Sequence, residues 1–123
     1  TAASLINENK ILCHPASVDS IPSSANREDH VSMGMTAANK ARVVMDNVRT
    51  VLAIEALSAC QALDFRKPLK PGKGVQAIYN KVRENIAHAP VDRRFKIDMD
   101  KMQRLMADDT LLVIAEAACG SLN

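Results

Sequence analysis

The 123-residue chain reads as all-α, and three observations carry that expectation. From Asn26 to Phe65 there is no proline and one glycine, Gly34, so a turn-free run long enough for a dominant helix fills the middle of the chain. Apolar residues make up 47% of the sequence, yet its only aromatics are Phe65, Tyr79 and Phe95. A core must then come from Ala, Val, Leu, Ile and Met, a set that suits close helix packing better than sheet faces. Within the long run the apolar residues also recur at three- and four-residue spacing rather than alternating. The expected architecture is one very long central helix followed by shorter helices, in one domain at most.

Taken in order, residues 1–25 read as an irregular segment. Pro15 and Pro22 punctuate it, and Ser17, Ser20, Ser23 and Ser24 favour turns. Such a stretch is odd in a compact domain unless it lines a site or covers a partner. Residues 26–66 form the long helix. Asn26 is placed to cap it, with Glu28 and Asp29 in the first turn where the helix dipole favours acids; a start at Thr36 after a kink at Gly34 is the alternative. Ala41, Val44, Met45, Val48, Leu52, Ala56, Ala59 and Leu63 form its apolar stripe.

Between Val51 and Leu63 only Glu55, Ser58 and Gln61 are strongly polar, and a helix apolar on every side is expected to be buried on every side. Glu55 falls inside the stripe, as either a paired buried carboxylate or a functional acid. About forty helical residues span roughly 60 Å, whereas a compact domain of this length is roughly 35 Å across. A kink at Gly34 still leaves a long apolar run, so the chain is expected to pack against something larger.

Residues 67–74, Lys67-Pro68-Leu69-Lys70-Pro71-Gly72-Lys73-Gly74, are a basic Pro/Gly loop. It lacks the Gly-x-x-x-x-Gly-Lys-Ser/Thr spacing of a phosphate loop and reads as a solvated linker. Residues 75–123 hold the C-terminal helices. Val75, Ile78, Val82 and Ile86 mark an amphipathic helix ending before Ala89-Pro90. Asp98 or Asp100 caps a helix carrying Met99, Met102, Leu105 and Met106, a stripe that reads as adaptable core. Asp108 or Asp109 caps a last helix, Leu111 to Cys119, stopped by Gly120.

Composition narrows the function classes. Sixteen basic and fourteen acidic residues are interspersed and leave +2, which gives nucleic acid or an anionic membrane no foothold. No apolar run approaches the roughly 20 residues of a membrane span. Thr1-Ala2-Ala3-Ser4 lacks the basic and apolar pattern of a signal peptide. Three scattered cysteines, Cys13, Cys60 and Cys119, argue against structural disulfides and for a cytoplasmic setting. His14, His30 and His88 have no partner at metal-ligand spacing. What stands out is the polar knot Asn26-Arg27-Glu28-Asp29-His30, set directly before the long apolar run. Periodicity alone leaves it open as a general acid or base, a substrate anchor, or a capped structural turn.

The residues of the knot carry a resemblance. Glu8-Asn9-Lys10, the twenty-one residues from His14 to Gly34, and Val51-Leu52-Ala53-Ile54-Glu55-Ala56-Leu57 leading into Cys60-Gln61-Ala62-Leu63-Asp64-Phe65-Arg66 closely resemble the C-terminal part of the histidine ammonia-lyases. The resemblance covers essentially the whole chain. It implies an enzyme that eliminates ammonia from L-histidine to give trans-urocanate. It also implies an all-helical homotetramer with a long-helix bundle at its centre and active sites assembled from several subunits.

The resemblance matches Glu28 to the family's active-site glutamate, which contacts the substrate imidazole, as an ionised acceptor for a ring N–H. The phenylalanine and tyrosine lyases have glutamine there, so Glu28 favours histidine. Arg27 stands where the family usually has glutamine; its guanidinium could pair with Glu28 and compete for substrate, or point outward. The family's electrophile, a methylidene-imidazolone, forms from an internal Ala-Ser-Gly. The four glycines here follow Met33, Pro71, Lys73 and Cys119, so this chain cannot form it, and the isolated polypeptide is expected to be inactive. Two further readings stay open: another ammonia-lyase or an aminomutase of the same superfamily, and a non-catalytic helical module that self-associates through Val51–Leu63.

Overall fold

A computed structural model describes residues 1–18 and 20–122. Asp19, inside the stretch that carries the resemblance, lies outside the described residues. Among the described residues five helices follow in order: α1 (Ala2–Leu12), α2 (Gly34–Phe65), α3 (Lys73–Asn85), α4 (Lys96–Ala107) and α5 (Thr110–Cys119). Among the described residues the only β-type pairing is an isolated antiparallel bridge between Ser23 and Glu28. The protein is all-α with one dominant helix, as its composition predicts. It falls into two compact units, Thr1–Val51 and Leu52–Asn123, with the boundary inside α2.

In the first unit two expectations need correction. Residues 1–25 are not irregular throughout, because Ala2–Leu12 is helical. That segment has neither proline nor glycine, and its Ala, Leu, Ile, Glu and Lys suit a helix; Pro15 and the serines beyond it only mark its end. The long helix also begins at Gly34 rather than Asn26. Its first turn is anchored by the Ala37 N–H donating to the Met33 carbonyl at 2.9 Å. Asn26 cannot cap it, since Ser24, Ala25 and Asn26 all adopt left-handed backbone, with φ of 52°, 56° and 64°. The Asn47 amide ties α2 to α1 by donating to Asn9 Oδ1 at 2.9 Å and Glu8 Oε2 at 3.1 Å. No described residue from 1 to 51 is buried.

The second unit holds the core. Ala53 and Cys60, two turns apart on α2, are buried with Val82, Ile86 and Met102, and Ala56, Leu57 and Ile78 pack around them. The buried face of α2 is therefore centred on Ala53, Ala56, Leu57 and Cys60, whereas the expected stripe ran through Leu52, Ala56, Ala59 and Leu63. One residue of offset rotates a helix face by about 100°. Where a helix is apolar all round, spacing cannot fix its phase. The expectation of burial on every side also fails within this chain, because Leu52 and Ala59 are exposed. Glu55 is exposed too, so it is not a buried carboxylate.

The shorter helices follow their amphipathic patterns. Val82 and Ile86 enter the core from α3 and the residue that ends it. Met102 enters from α4, with Leu105 and Met106 packed beside it, so the methionine stripe is core. Asp98 is not a cap. It lies in the first turn of α4 and is buried against Arg93, whose Nε donates to Oδ2 at 3.0 Å. Ahead of α5, Asp108 supplies the capping acceptor, taking the Thr110 N–H at 3.2 Å, and that bonding holds its carboxyl below the usual range. Asp109 takes the left-handed φ of 57° at the turn. The ends of α3 and α5 approach closely at Gly74, where an added Cβ would stand 3.0 Å from Cys119 Sγ.

Candidate functional site

Two polar constellations emerge, one in each unit. The first is the loop between α1 and α2, closed by two rungs. Ser20 Oγ accepts the Val31 N–H at 2.6 Å and donates to the Val31 carbonyl at 3.1 Å. Further in, the Ser23 N–H donates to the Glu28 carbonyl at 2.9 Å and the Glu28 N–H to the Ser23 carbonyl at 3.3 Å. The Ser23 hydroxyl then donates to Glu28 Oε2 at 3.0 Å. The residues between pass through the left-handed turn at Ser24, Ala25 and Asn26. For residues with a Cβ this conformation costs roughly 1–2 kcal/mol each, and such strain persists only where surrounding bonds over-determine it.

This geometry corrects the electrostatic setting of Glu28. It lies ahead of α2, so the helix dipole does not act on it; its partner is the Ser23 hydroxyl. Arg27, Glu28, Asp29 and His30 are all exposed. Among the described residues no ion pair joins Arg27 to Glu28, and the Arg27 backbone N–H donates to Ser24 O at 3.2 Å. The loop thus offers solvent a carboxylate with one oxygen engaged by a neutral donor.

The second constellation centres on Asp64, near the end of α2, whose side chain is 8% exposed. Its Oδ2 accepts from Arg83 NH2 at 2.6 Å and His88 Nδ1 at 2.9 Å, and its Oδ1 from Tyr79 Oη at 2.5 Å and Lys67 Nζ at 3.0 Å. Burial by itself pushes this carboxyl up, but the Tyr79, Lys67, His88 and Arg83 hydrogen bonds outweigh it and hold Asp64 far below the usual carboxylate range. An ionised carboxylate only accepts, so His88 Nδ1 carries the proton.

Gln61 braces the next segment by exchanging hydrogen bonds with Ala89, at 2.8 Å to its carbonyl and 3.2 Å from its N–H. Arg83 also donates to the Ile86 carbonyl at 3.0 Å, while its Nε is buried without a partner among the described residues. Nearby, burial pushes the Cys60 thiol up, with Arg83 opposing. A cleft of about 360 Å³ opens beside the basic loop, lined by Lys67, Pro68, Leu69, Gln76 and Tyr79 among others. Its polar groups are largely committed elsewhere, Tyr79 and Lys67 to Asp64 and Gln76 to Asn80. This cluster is an interlock joining α2, α3 and the segment after α3.

Glu28 and Arg27 are the expected site residues; the bonds around Glu28 and the Asp64 cluster carry no motif in the sequence. The Asp64 cluster draws on residues from Gln61 to Ala89 that share no spacing motif. Ser20 and Ser23 read as turn formers in the sequence; the available signal is their mirroring across the knot by Val31 and Glu28.

The model of the family described as aromatic amino acid lyase matches residues 1–84. The chain is 58% identical to histidine ammonia-lyase of Anaeromyxobacter dehalogenans over 90% of its own length and 22% of that protein's. It is 54% identical to histidine ammonia-lyase of Gloeobacter violaceus over 100% of its length and 24% of that protein's. Among solved structures, histidine ammonia-lyase from Trypanosoma cruzi superimposes with a TM-score of 0.88 at 39% identity, over 94% of this chain and 23% of that one. Tyrosine aminomutase from Streptomyces globisporus superimposes with a TM-score of 0.81 at 30% identity, over 94% and 22%. The chain therefore spans about a quarter of the length of the relatives it matches. With the family's model covering more than half of it, the chain belongs to the aromatic amino acid lyase family.

Proposed function

We propose that this chain is the C-terminal segment of a histidine ammonia-lyase, and that it supplies one wall of an active site whose other walls lie elsewhere in the complete protein. The observation that carries the reading is Glu28, presented to solvent on a doubly closed loop with a hydroxyl rather than a cation as its partner. An imidazole substrate has a ring N–H to donate, and a carboxylate is the matching acceptor. Such charge-assisted bonds contribute about 1.5–3 kcal/mol. Glu28 would hold the ring of L-histidine during elimination to trans-urocanate. Arg27, exposed beside it, is a second substrate-side contact in this reading.

The methylidene-imidazolone that supplies the electrophile cannot come from this chain, which has no Ala-Ser-Gly. It would be formed elsewhere in the complete protein, and the role of the present residues is confined to binding and orientation. Homotetrameric assembly in a cytoplasmic setting completes the proposal. It is supported by the absence of any buried described residue from 1 to 51, and by large exposed apolar side chains such as Met35, Met45 and Leu52 along α2. Exposed apolar side chains of that size need cover from other chain.

A second reading, an aminomutase or another lyase of the same family, draws support from the likeness to tyrosine aminomutase and from Arg27 in place of the usual glutamine. Purified complete protein given histidine, tyrosine or phenylalanine separates the two. Urocanate absorbance rising only with histidine supports the first reading; turnover of tyrosine or phenylalanine instead defeats it.

A further inference from the structure

Resting on the histidine-lyase reading above, we infer that Ser23 is a positioning residue for Glu28, and that the paired rungs Ser20–Val31 and Ser23–Glu28 form a clamp that presets the carboxylate before substrate arrives. Ser23 meets Glu28 at three points: two backbone hydrogen bonds and the Oγ–H···Oε2 bond at 3.0 Å. The side-chain bond takes one carboxylate oxygen and leaves Oε1 without a bond to any described residue. The group is thereby turned with one oxygen anchored and the other open to an incoming ring N–H.

A hydroxyl suits this task better than a cation would. It fixes direction without neutralising the charge that the substrate must meet. The neighbouring residues fit the same account. Ser24, Ala25 and Asn26 hold left-handed backbone without a glycine among them, and that conformation folds the chain back so that residue 28 meets residue 23. Ser20 closes the loop a second time by using its one hydroxyl as both acceptor and donor toward Val31. The loop thus specifies both the place of the Glu28 backbone and the rotation of its carboxylate. Substrate then does not bear the cost of ordering the group.

The test is steady-state kinetics on the complete lyase with Ser23→Thr and Ser23→Val, which differ by a hydroxyl but little in shape. Ser23→Thr keeps kcat/KM for histidine within about threefold, whereas Ser23→Val lowers it by about 10- to 100-fold. In a Glu28→Ala background, Ser23→Val produces no further loss, because its effect runs through the carboxylate. Equal activity of the two Ser23 variants, or a loss that persists in the Glu28→Ala background, overturns the inference while the lyase reading stands. A wild-type protein that does not turn over histidine overturns that reading and the inference with it.

Discussion

Replacing Asp64 by asparagine tests the interlock of the second unit with almost no change in shape. The carboxylate accepts four donors, and an amide can accept on one oxygen only. The least costly arrangement keeps that oxygen toward Arg83 and His88 and turns the amide NH₂ toward Tyr79 and Lys67. The Tyr79 hydroxyl can rotate to accept, and Lys67, at 66% exposed, can turn to water, so neither loss is large. What cannot be recovered is the negative charge facing Arg83, whose side chain is only 15% exposed. Removing one partner of a buried pair costs about 3–5 kcal/mol; the retained hydrogen bond reduces this to about 2–4 kcal/mol.

Urea denaturation of the chain at pH 7, followed by helical circular dichroism, reads that loss as a lower midpoint at unchanged slope. The pH dependence gives a second reading. The native Asp64 pKa is depressed, so its stabilisation is fully present above the ordinary carboxylate value of about 4 and drains away as pH falls toward the native value. The wild-type and Asp64→Asn curves should therefore be separated at neutral pH and converge in acid. A difference below about 0.5 kcal/mol at pH 7, or a gap that does not narrow in acid, refutes the assignment of Asp64 as the centre of the interlock.

Two further substitutions probe packing in the same assay. Met102, 1% exposed, should cost about 2–5 kcal/mol as Met102→Ala, while Met35→Ala, at a position 76% exposed, should stay within about 0.5 kcal/mol in this chain. Comparable losses would mean that the core is misassigned. Gly74→Ala gains helix propensity but presses its Cβ against Cys119 Sγ. It should be near neutral alone and stabilising by about 0.5–1 kcal/mol in a Cys119→Ala background; equal effects in both backgrounds would show that the close approach carries no energetic weight.

The sequence announced the helical class, the end of α2, the amphipathic α3 and the methionine core of α4, because each rests on periodicity or on an unambiguous breaker. The start of α2 was only partly legible: the helix begins at Gly34, close to the alternative start at Thr36 and away from Asn26. Ser24, Ala25 and Asn26 include no glycine, and nothing local predicts three left-handed residues in succession. What holds them is the bonding of Ser23 to Glu28, a contact that exists only once the loop has closed. The phase of α2 was hidden for a different reason: an apolar residue at nearly every position from Val51 to Leu63 leaves the choice of face to the neighbours. Glu28 is singled out by resemblance, but its carboxylate meets a serine hydroxyl in place of the expected helix dipole. The Asp64 cluster was invisible because its members meet only through tertiary packing.

The central claim is that Glu28 reaches a histidine substrate as an ionised acceptor. The most direct test is Glu28→Gln in the complete lyase, with urocanate formation followed by absorbance. An amide of the same shape loses the charge-assisted bond to the imidazole, so the account predicts a fall in kcat/KM of about 100-fold or more. Near wild-type turnover of histidine by that variant would contradict it.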